Sequence, residues 1–304
     1  MRVTFKNFRC LRDTSIDFTP LTVIVGPNAS GKSSILDALN PDLDLSAQDV
    51  WQRRPGLAVE IRREYDSGGV AVRSFAESYG QNGSISGMPP SYQVLRFDTD
   101  ALRRSNQLWT AATLVKDGGN LTNVFATLDR KTQADVARSF CSLVPVFSDV
   151  NAKPYAQGHA RLVFNDRWNT SVEYAPEQVS DGSMLVLAFL MLRYQSPAPS
   201  VLAIEELERG IHPYLIRELI AFVRQLAKGE FGGTKMHIVI ATQSPEVLEF
   251  IEPEEMRVLK RQEDGSVTIE TLSSGSEHWR AAFEEYSRSL GRVWLSGGIG
   301  GVPG

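Results

Sequence analysis

The chain has 304 residues, 42% of them hydrophobic and 22% charged, which is the make-up of an ordinary globular protein with ample core. With 32 basic and 36 acidic residues the net charge is −4, which argues against a strongly basic nucleic-acid binder; contact with DNA stays open but gains no support from the charge. Two cysteines make no disulfide framework and suit a reducing cytoplasm, four scattered histidines give no metal-ligand spacing, and the longest apolar run, Met184 to Leu192, is too short to cross a bilayer, so no membrane is expected as a partner.

The N-terminus goes straight into two predicted strands, Val3 to Phe8 and Ser15 to Phe18, with no signal peptide legible. The unbroken apolar and β-branched run LTVIV, Leu21 to Val25, then predicts a strand buried on both faces. It leads into GPNASGKSS, Gly26 to Ser34, which fits G-x-x-x-x-G-K-[ST]. The following SSILDALN places Ile35, Leu36 and Leu39 on one helical face and stops at Asn40-Pro41. Strand, glycine loop and helix in that order are what a nucleotide phosphate site requires. Gly26 and Gly31 let the backbone N–H groups turn inward on an anion, and Lys32 adds a mobile positive charge. Ser33 offers a hydroxyl to Mg²⁺, and the helix points its positive end at the same phosphates.

Residues 57–65 and 69–77 read as strands, 79–90 as a Gly/Ser/Pro loop and Ser91 to Asp98 as a strand. From Thr99 to about Val150 the spacing turns helical, carried by Leu121, Val124, Phe125 and Leu128 and then by Val136, Phe140 and Leu143. Residues 160–174 return to strand, helix and strand alternate to Leu272, and an amphipathic helix is expected from Glu277 to Leu290 before a glycine-rich tail. The chain therefore reads as one domain over 1–304, with a core of 1–97 and 160–304 and a helical insert at about 98–159.

Three further stretches carry polar groups at element ends. VLAI ends in the adjacent carboxylates Glu205 and Glu206, and the strand of HIVIATQSPEVL ends at Thr242-Gln243 before Ser244-Pro245 starts a helix. VSDGSMLVLAFLML puts Ser180, Asp181 and Gly182 at the start of an almost wholly apolar helix. Taken singly, these are an acidic loop, a capped helix and an N-cap. Taken together, LTVIV, VLAI and HIVIAT each deliver polar groups at the carboxyl end of a strand, where open α/β sheets bind ligands.

The order and the residues resemble the ABC-type ATPase heads of the RecF/SMC-like and OLD-like group. The resemblance rests on Asn7-Phe8-Arg9 before the glycine loop, VSDGS in place of the signature L-S-G-G-Q, EELERGIHP in place of E-E-P-E-x-x-x-H-P, and ATQSP in place of the switch T-H-S-P. It implies an α/β P-loop NTPase of ABC-ATPase type: a mixed sheet with an N-terminal antiparallel β portion and an inserted helical lobe. It implies ATP and Mg²⁺ as ligands, with Gly26, Pro27, Asn28, Ala29, Ser30, Gly31, Lys32, Ser33, Ser34 and Arg9 binding the nucleotide. Ser33 and Glu205 would hold the metal, and Glu206, Gln243 and Lys32 would act in hydrolysis. Ser180 and Gly182 would meet the γ-phosphate held by a second subunit, making ATP the glue of a homodimer.

Asp181 and Ser183 replace the signature's first glycine and its glutamine, Glu205 replaces an aspartate, Leu207 a proline and Gln243 the switch histidine. Gln243 can donate a hydrogen bond but cannot carry a proton, which would slow hydrolysis. The glutamine that senses the γ-phosphate in such heads has three candidates, Gln48, Gln52 and Gln93. The stretch after Gln243 is too short for a nuclease domain, so the effector that such a switch or motor would drive is expected on a separate chain, a nuclease in DNA repair or phage defence being one form. The alternative is a nucleotide-gated scaffold that organises a partner with very slow or no hydrolysis.

Overall fold

Alternate residues of the apolar strands go to opposite cores. In β3 (Leu21–Val25), Leu21, Val23 and Val25 join one cluster and Ile24 the other; in β13 (His237–Thr242), Ile238 and Ile240 separate likewise from Val239 and Ala241. β12 (Val201–Glu205) divides its residues the same way, so this sheet is covered on both faces, as its lack of a polar face requires. The computed structural model describes residues 1–87, 91–272, 281, 283–284 and 289–296.

The central sheet runs β15 (Val267–Thr271), β14 (Met256–Arg261), β3, β13, β12, β7 (Tyr92–Leu95). All neighbours are parallel except β14 and β15. On one face lies a five-stranded antiparallel sheet, ordered β2 (Leu11–Asp17), β1 (Arg2–Phe8), β4 (Val59–Glu64), β5 (Val70–Ala76), β6 (Gly80–Ser86), with α1 (Lys32–Leu39) packed through Ile35, Leu36, Ala38 and Leu39 into the same core. On the other face lie α5 (Asp181–Met191) and α6 (Pro213–Lys228). Ser183 to Met191 of α5 are all buried, so this helix serves as the shared core between the sheet and a lobe.

That lobe contains α2 (Thr99–Leu102), β8 (Asn106–Gln107), α3 (Leu121–Thr127), α4 (Arg130–Leu143) and β9 (Phe147–Pro154), and β9 pairs with β10 (His159–Asp166), itself flanked by β11 (Glu173–Tyr174). Phe140, Phe147 and Phe164 meet at centroid separations of 5.4 to 5.8 Å and tie α4 to this small sheet. The stretch expected to be helical to Val150 thus turns into strand at Phe147, because Phe147 and Val150 point inward against β10.

Residues 79–90, expected as a loop, instead include β6. Its sequence GQNGSIS has no apolar alternation because every residue after Gly80 is exposed, and its ladder with β5, from Ala76 opposite Gly80 to Val70 opposite Ser86, supplies the order. α7 (Pro245–Leu248) and α8 (Leu290–Leu295) pack together beside the site edge. The helix expected from Glu277 to Leu290 and the glycine-rich tail fall largely outside the described residues. Among the described residues no helix is long and apolar enough to cross a membrane.

Candidate functional site

The loop between β3 and α1 is held open by its glycines. A Cβ on Gly26 would sit 2.6 Å from Ser30 Oγ, and one on Gly31, where φ is +101°, would sit 2.7 Å from Cys10 Sγ. Ala29 also lies at positive φ, 60°. No side chain caps α1, so its first N–H groups remain turned toward the loop. Ser30 Oγ is buried and has no hydrogen-bond partner, and Lys32 Nζ folds back on the loop's own carbonyls, 2.6 Å from Gly26 O and 2.9 Å from Pro27 O. An uncapped helix start, an orphaned hydroxyl and a lysine parked on carbonyls fit a polyphosphate anion.

The register of the parallel sheet sets what faces this loop. Thr242 lies opposite Val25, Glu205 opposite Ala241 and Ile204 opposite Leu95, so the four strands end in step. The next residues along are Gly26, Gln243, Glu206 and Arg96. Glu206 N donates to Ala241 O at 2.9 Å and its φ is +50°, a left-handed backbone that costs a non-glycine residue about 1 kcal/mol. Gln243 is exposed between buried Thr242 and Ser244. A cavity of about 270 Å³ joins Asn28 to Ser34, Cys10, Glu206 and Gln243. A second of about 230 Å³ lies on the far side of Glu206 and is lined by Glu205, Arg96, Asp181 and Arg209.

The charges of this edge are unbalanced. Burial pulls the Lys32 ammonium below the ordinary lysine range, against the opposing charges of Glu206, Glu208 and Glu205, which all reach it. Burial also raises the Glu208 carboxyl above its usual range, although Thr242 donates to it. Arg96 Nη1 stands 3.4 Å from Glu205 Oε2 and Arg209 Nη1 3.7 Å from Glu206 Oε2, both arginines being largely exposed. Among the described residues no group of three or more His, Cys, Asp or Glu could hold a metal ion unaided. A cation here would therefore need phosphate oxygens to complete its shell; of the two predicted metal ligands, Ser33 lines the loop cavity and Glu205 the second one.

Other predicted site residues lie apart from the loop cavity. Arg9 bonds Asp49 Oδ1 at 2.9 Å and Asp37 Oδ2 at 2.6 Å and stacks over Phe8, which braces α1 against β1 without lining the cavity. Ser180 caps α5, accepting from Ser183 N at 3.3 Å, and is exposed. A Cβ on Gly182 would stand 2.9 Å from Gly210 O, so this glycine lets α5 approach the turn after Glu206. Gln48 is exposed in a short 3₁₀ turn, Gln52 donates to Asp264 O, and Gln93 is spent on Leu114 O and Gln195, so none of the three reaches either cavity. The residue that follows β7 is Arg96. Motif reading also gave no role to Cys10, whose thiol burial pushes up and which packing brings to the cavity, or to Glu208, which lies within EELERGIHP but outside the cavity.

Two AAA families match the chain. One, described as an AAA ATPase domain, matches residues 1–66; the other, described as "AAA domain, putative AbiEii toxin, Type IV TA system", matches residues 84–249, more than half the chain. The chain belongs to this AAA family. Fifty residues, 16% of the chain, are 52% identical to an OLD nuclease of Thermus scotoductus, and they span only 9% of that protein's length. The AAA fold here is that of SMC heads. It aligns over 90% of its length with an Smc head bound to the C-winged helix domain of ScpA, covering 97% of that chain (TM-score 0.63, 15% identity). The head of Thermotoga maritima SMC gives a TM-score of 0.56 at 17% identity over 90% of this chain and 98% of that one. A Pyrococcus furiosus Smc head gives 0.63 at 12% identity, with 93% and 98% covered.

Proposed function

We propose that this AAA domain binds ATP with Mg²⁺ in the loop cavity and hydrolyses it, and that binding closes a twofold dimer that signals to a separate effector. The observation carrying this reading is the strand register that sets Glu206 and Gln243 over the loop of Lys32 in one cavity. Lys32 and the N–H groups from Gly26 to Ser34 take the phosphates, Lys32 leaving the carbonyls it now occupies. Ser33 and, from the second cavity, Glu205 would hold Mg²⁺, which would supply positive charge to the phosphates. Glu206 orients the attacking water and accepts its proton, the role its backbone conformation aims it for. Gln243 donates to the γ-phosphate. Exposed Ser180 and half-buried Gly182, at the start of α5, meet the nucleotide of the partner copy. Arg9 contributes through α1.

The relative's name and the family description point the effector reading toward a nuclease or a defence system, acting in a cytoplasm that suits two free cysteines. Gln243 favours the second reading, a nucleotide-gated scaffold, since an amide cannot shuttle a proton.

Fluorescent-nucleotide titration, phosphate release and size exclusion with ATP and Mg²⁺ test both readings. Lys32→Ala is expected to lose ATP binding. Glu206→Gln is expected to keep binding, lose turnover by about a hundredfold and accumulate dimer. Wild-type protein that saturates with ATP yet releases no phosphate selects the scaffold, and an ATP-loaded E206Q that stays monomeric rejects the dimer.

A further inference from the structure

The turn after Glu206 returns a third carboxylate to the sheet. Arg209 N donates to Glu206 O at 3.0 Å and Ile211 N to Glu208 O at 3.0 Å, which folds Glu208 back over the end of β13. There Thr242 Oγ1 donates to Glu208 Oε1 at 2.6 Å, and the same hydroxyl accepts from Ser244 N at 2.9 Å. Thr242 is fully buried and Ser244 nearly so, and the exposed Gln243 stands between them. Glu206 is meanwhile fixed to the same strand through Ala241 O. Glu208 thus ends a chain of hydrogen bonds that starts at the backbone carrying Gln243 and finishes on the turn carrying Glu206.

The arrangement is costly for what it contributes to folding alone. Glu208 Oε2 is buried without a hydrogen-bond partner, and the like charges of Glu206 and Glu246 act on it against the opposite charge of Lys32. An apolar contact between β13 and this turn would hold the fold at less expense. Glu208 does not line the loop cavity, so it acts on any ligand only through its neighbours.

We propose that Glu208 is a positioning residue for ATP hydrolysis, fixing the Gln243 turn against the Glu206 turn through the Thr242 hydroxyl so that both groups face one γ-phosphate. The inference rests on the ATPase reading above. A slack of even an ångström between a water-orienting carboxylate and a phosphate-facing amide lowers turnover steeply while leaving ground-state binding to the loop intact.

The experiment compares wild type with E208A, E208Q, T242V and T242S, using fluorescent-ATP titration for affinity and steady-state phosphate release for kcat and KM. All four variants are expected to bind ATP within about threefold of wild type. E208A and T242V are expected to lose kcat by at least about tenfold, whereas E208Q, which keeps an acceptor, and T242S, which keeps the donor, retain about half or more. T242V preserves side-chain volume, so it carries the test should E208A fail to fold. E208A or T242V turning over within about twofold of wild type overturns the inference alone, as does a loss in E208Q as deep as in E208A. Wild-type protein that binds no ATP, or binds it without turnover, overturns the hydrolytic reading and this inference with it.

Discussion

The two ends of the same parallel strands are built on opposite terms. At the amino ends of β12 and β13 the charged groups around His237 are tied to one another, although the nearby Tyr65 hydroxyl is buried without a partner. His237 Nδ1 lies 3.0 Å from Thr19 O and Nε2 2.8 Å from Asp66 Oδ2, the Met1 ammonium lies 2.6 Å from Asp66 Oδ1, and the backbone N–H groups of His237 and Ile238 donate to Ser200 O and Pro20 O. At the carboxyl ends, Ser30 Oγ and Glu208 Oε2 are buried and unpaired, Ala29 and Glu206 sit at positive φ, and Lys32 is turned on its own loop. The strands themselves are buried apart from His237 at one end and Glu205 at the other. The difference teaches that charge is paired off at one end, while strained backbone, an unpaired buried carboxylate oxygen and a lysine without a carboxylate partner gather at the other, which is where a ligand can be rewarded.

The largest break in that contrast is expected from Gly31→Ala. The new methyl group would meet Cys10 Sγ at 2.7 Å in a backbone at φ +101°, so the loop must open. ATP affinity should fall by about a hundredfold or more and stability by about 2 kcal/mol, read by nucleotide titration and by urea unfolding. Unchanged affinity would show that the loop is an ordinary turn. A smaller change, of opposite sign in stability, is expected from Glu206→Gly. Glycine adopts φ +50° without strain, so the protein should unfold at equal or higher urea concentration, by up to about 1 kcal/mol, while turnover disappears. Clear destabilisation would mean that Glu206 serves the fold.

The loop end was largely legible because its chemistry is local. Gly26 to Ser34 carry their own spacing, LTVIV and VLAI announce buried strands, and Ser180 announces a cap, all within a few residues. What escaped is whatever depends on register. Arg96 reaches Glu205 only because β7 pairs with β12 across more than a hundred residues, and Glu208 reaches Thr242 only because the turn after Glu206 folds back on β13. Arg9 matched a motif, yet Asp37 and Asp49 claim its guanidinium, and no sequence spacing announces those partners. β6 escaped for a different reason: an exposed, small and polar edge strand has no periodicity to read, and its neighbour β5 imposes its conformation.

The smallest expected effect separates the two ends by the sign of their response to pH. The Met1 ammonium first, and then His237, hold the Asp66 carboxyl below the usual aspartate range, so this group adds stability above its unfolded value, and that stability is lost as pH falls through its folded one. Burial holds the Glu208 carboxyl above the usual glutamate range. Its penalty is absent below its unfolded value, sets in as pH rises toward its folded one and is complete above that. Asp66→Ala should therefore flatten the acid limb of the stability curve, by at most about 1 kcal/mol because Asp66 is exposed, and leave ATP affinity alone. Glu208→Gln should instead flatten the decline toward neutral pH. Urea midpoints measured from pH 3 to 8 would decide it: two variants flattening the same limb would mean that the ends of these strands do not differ in the way their hydrogen bonds indicate.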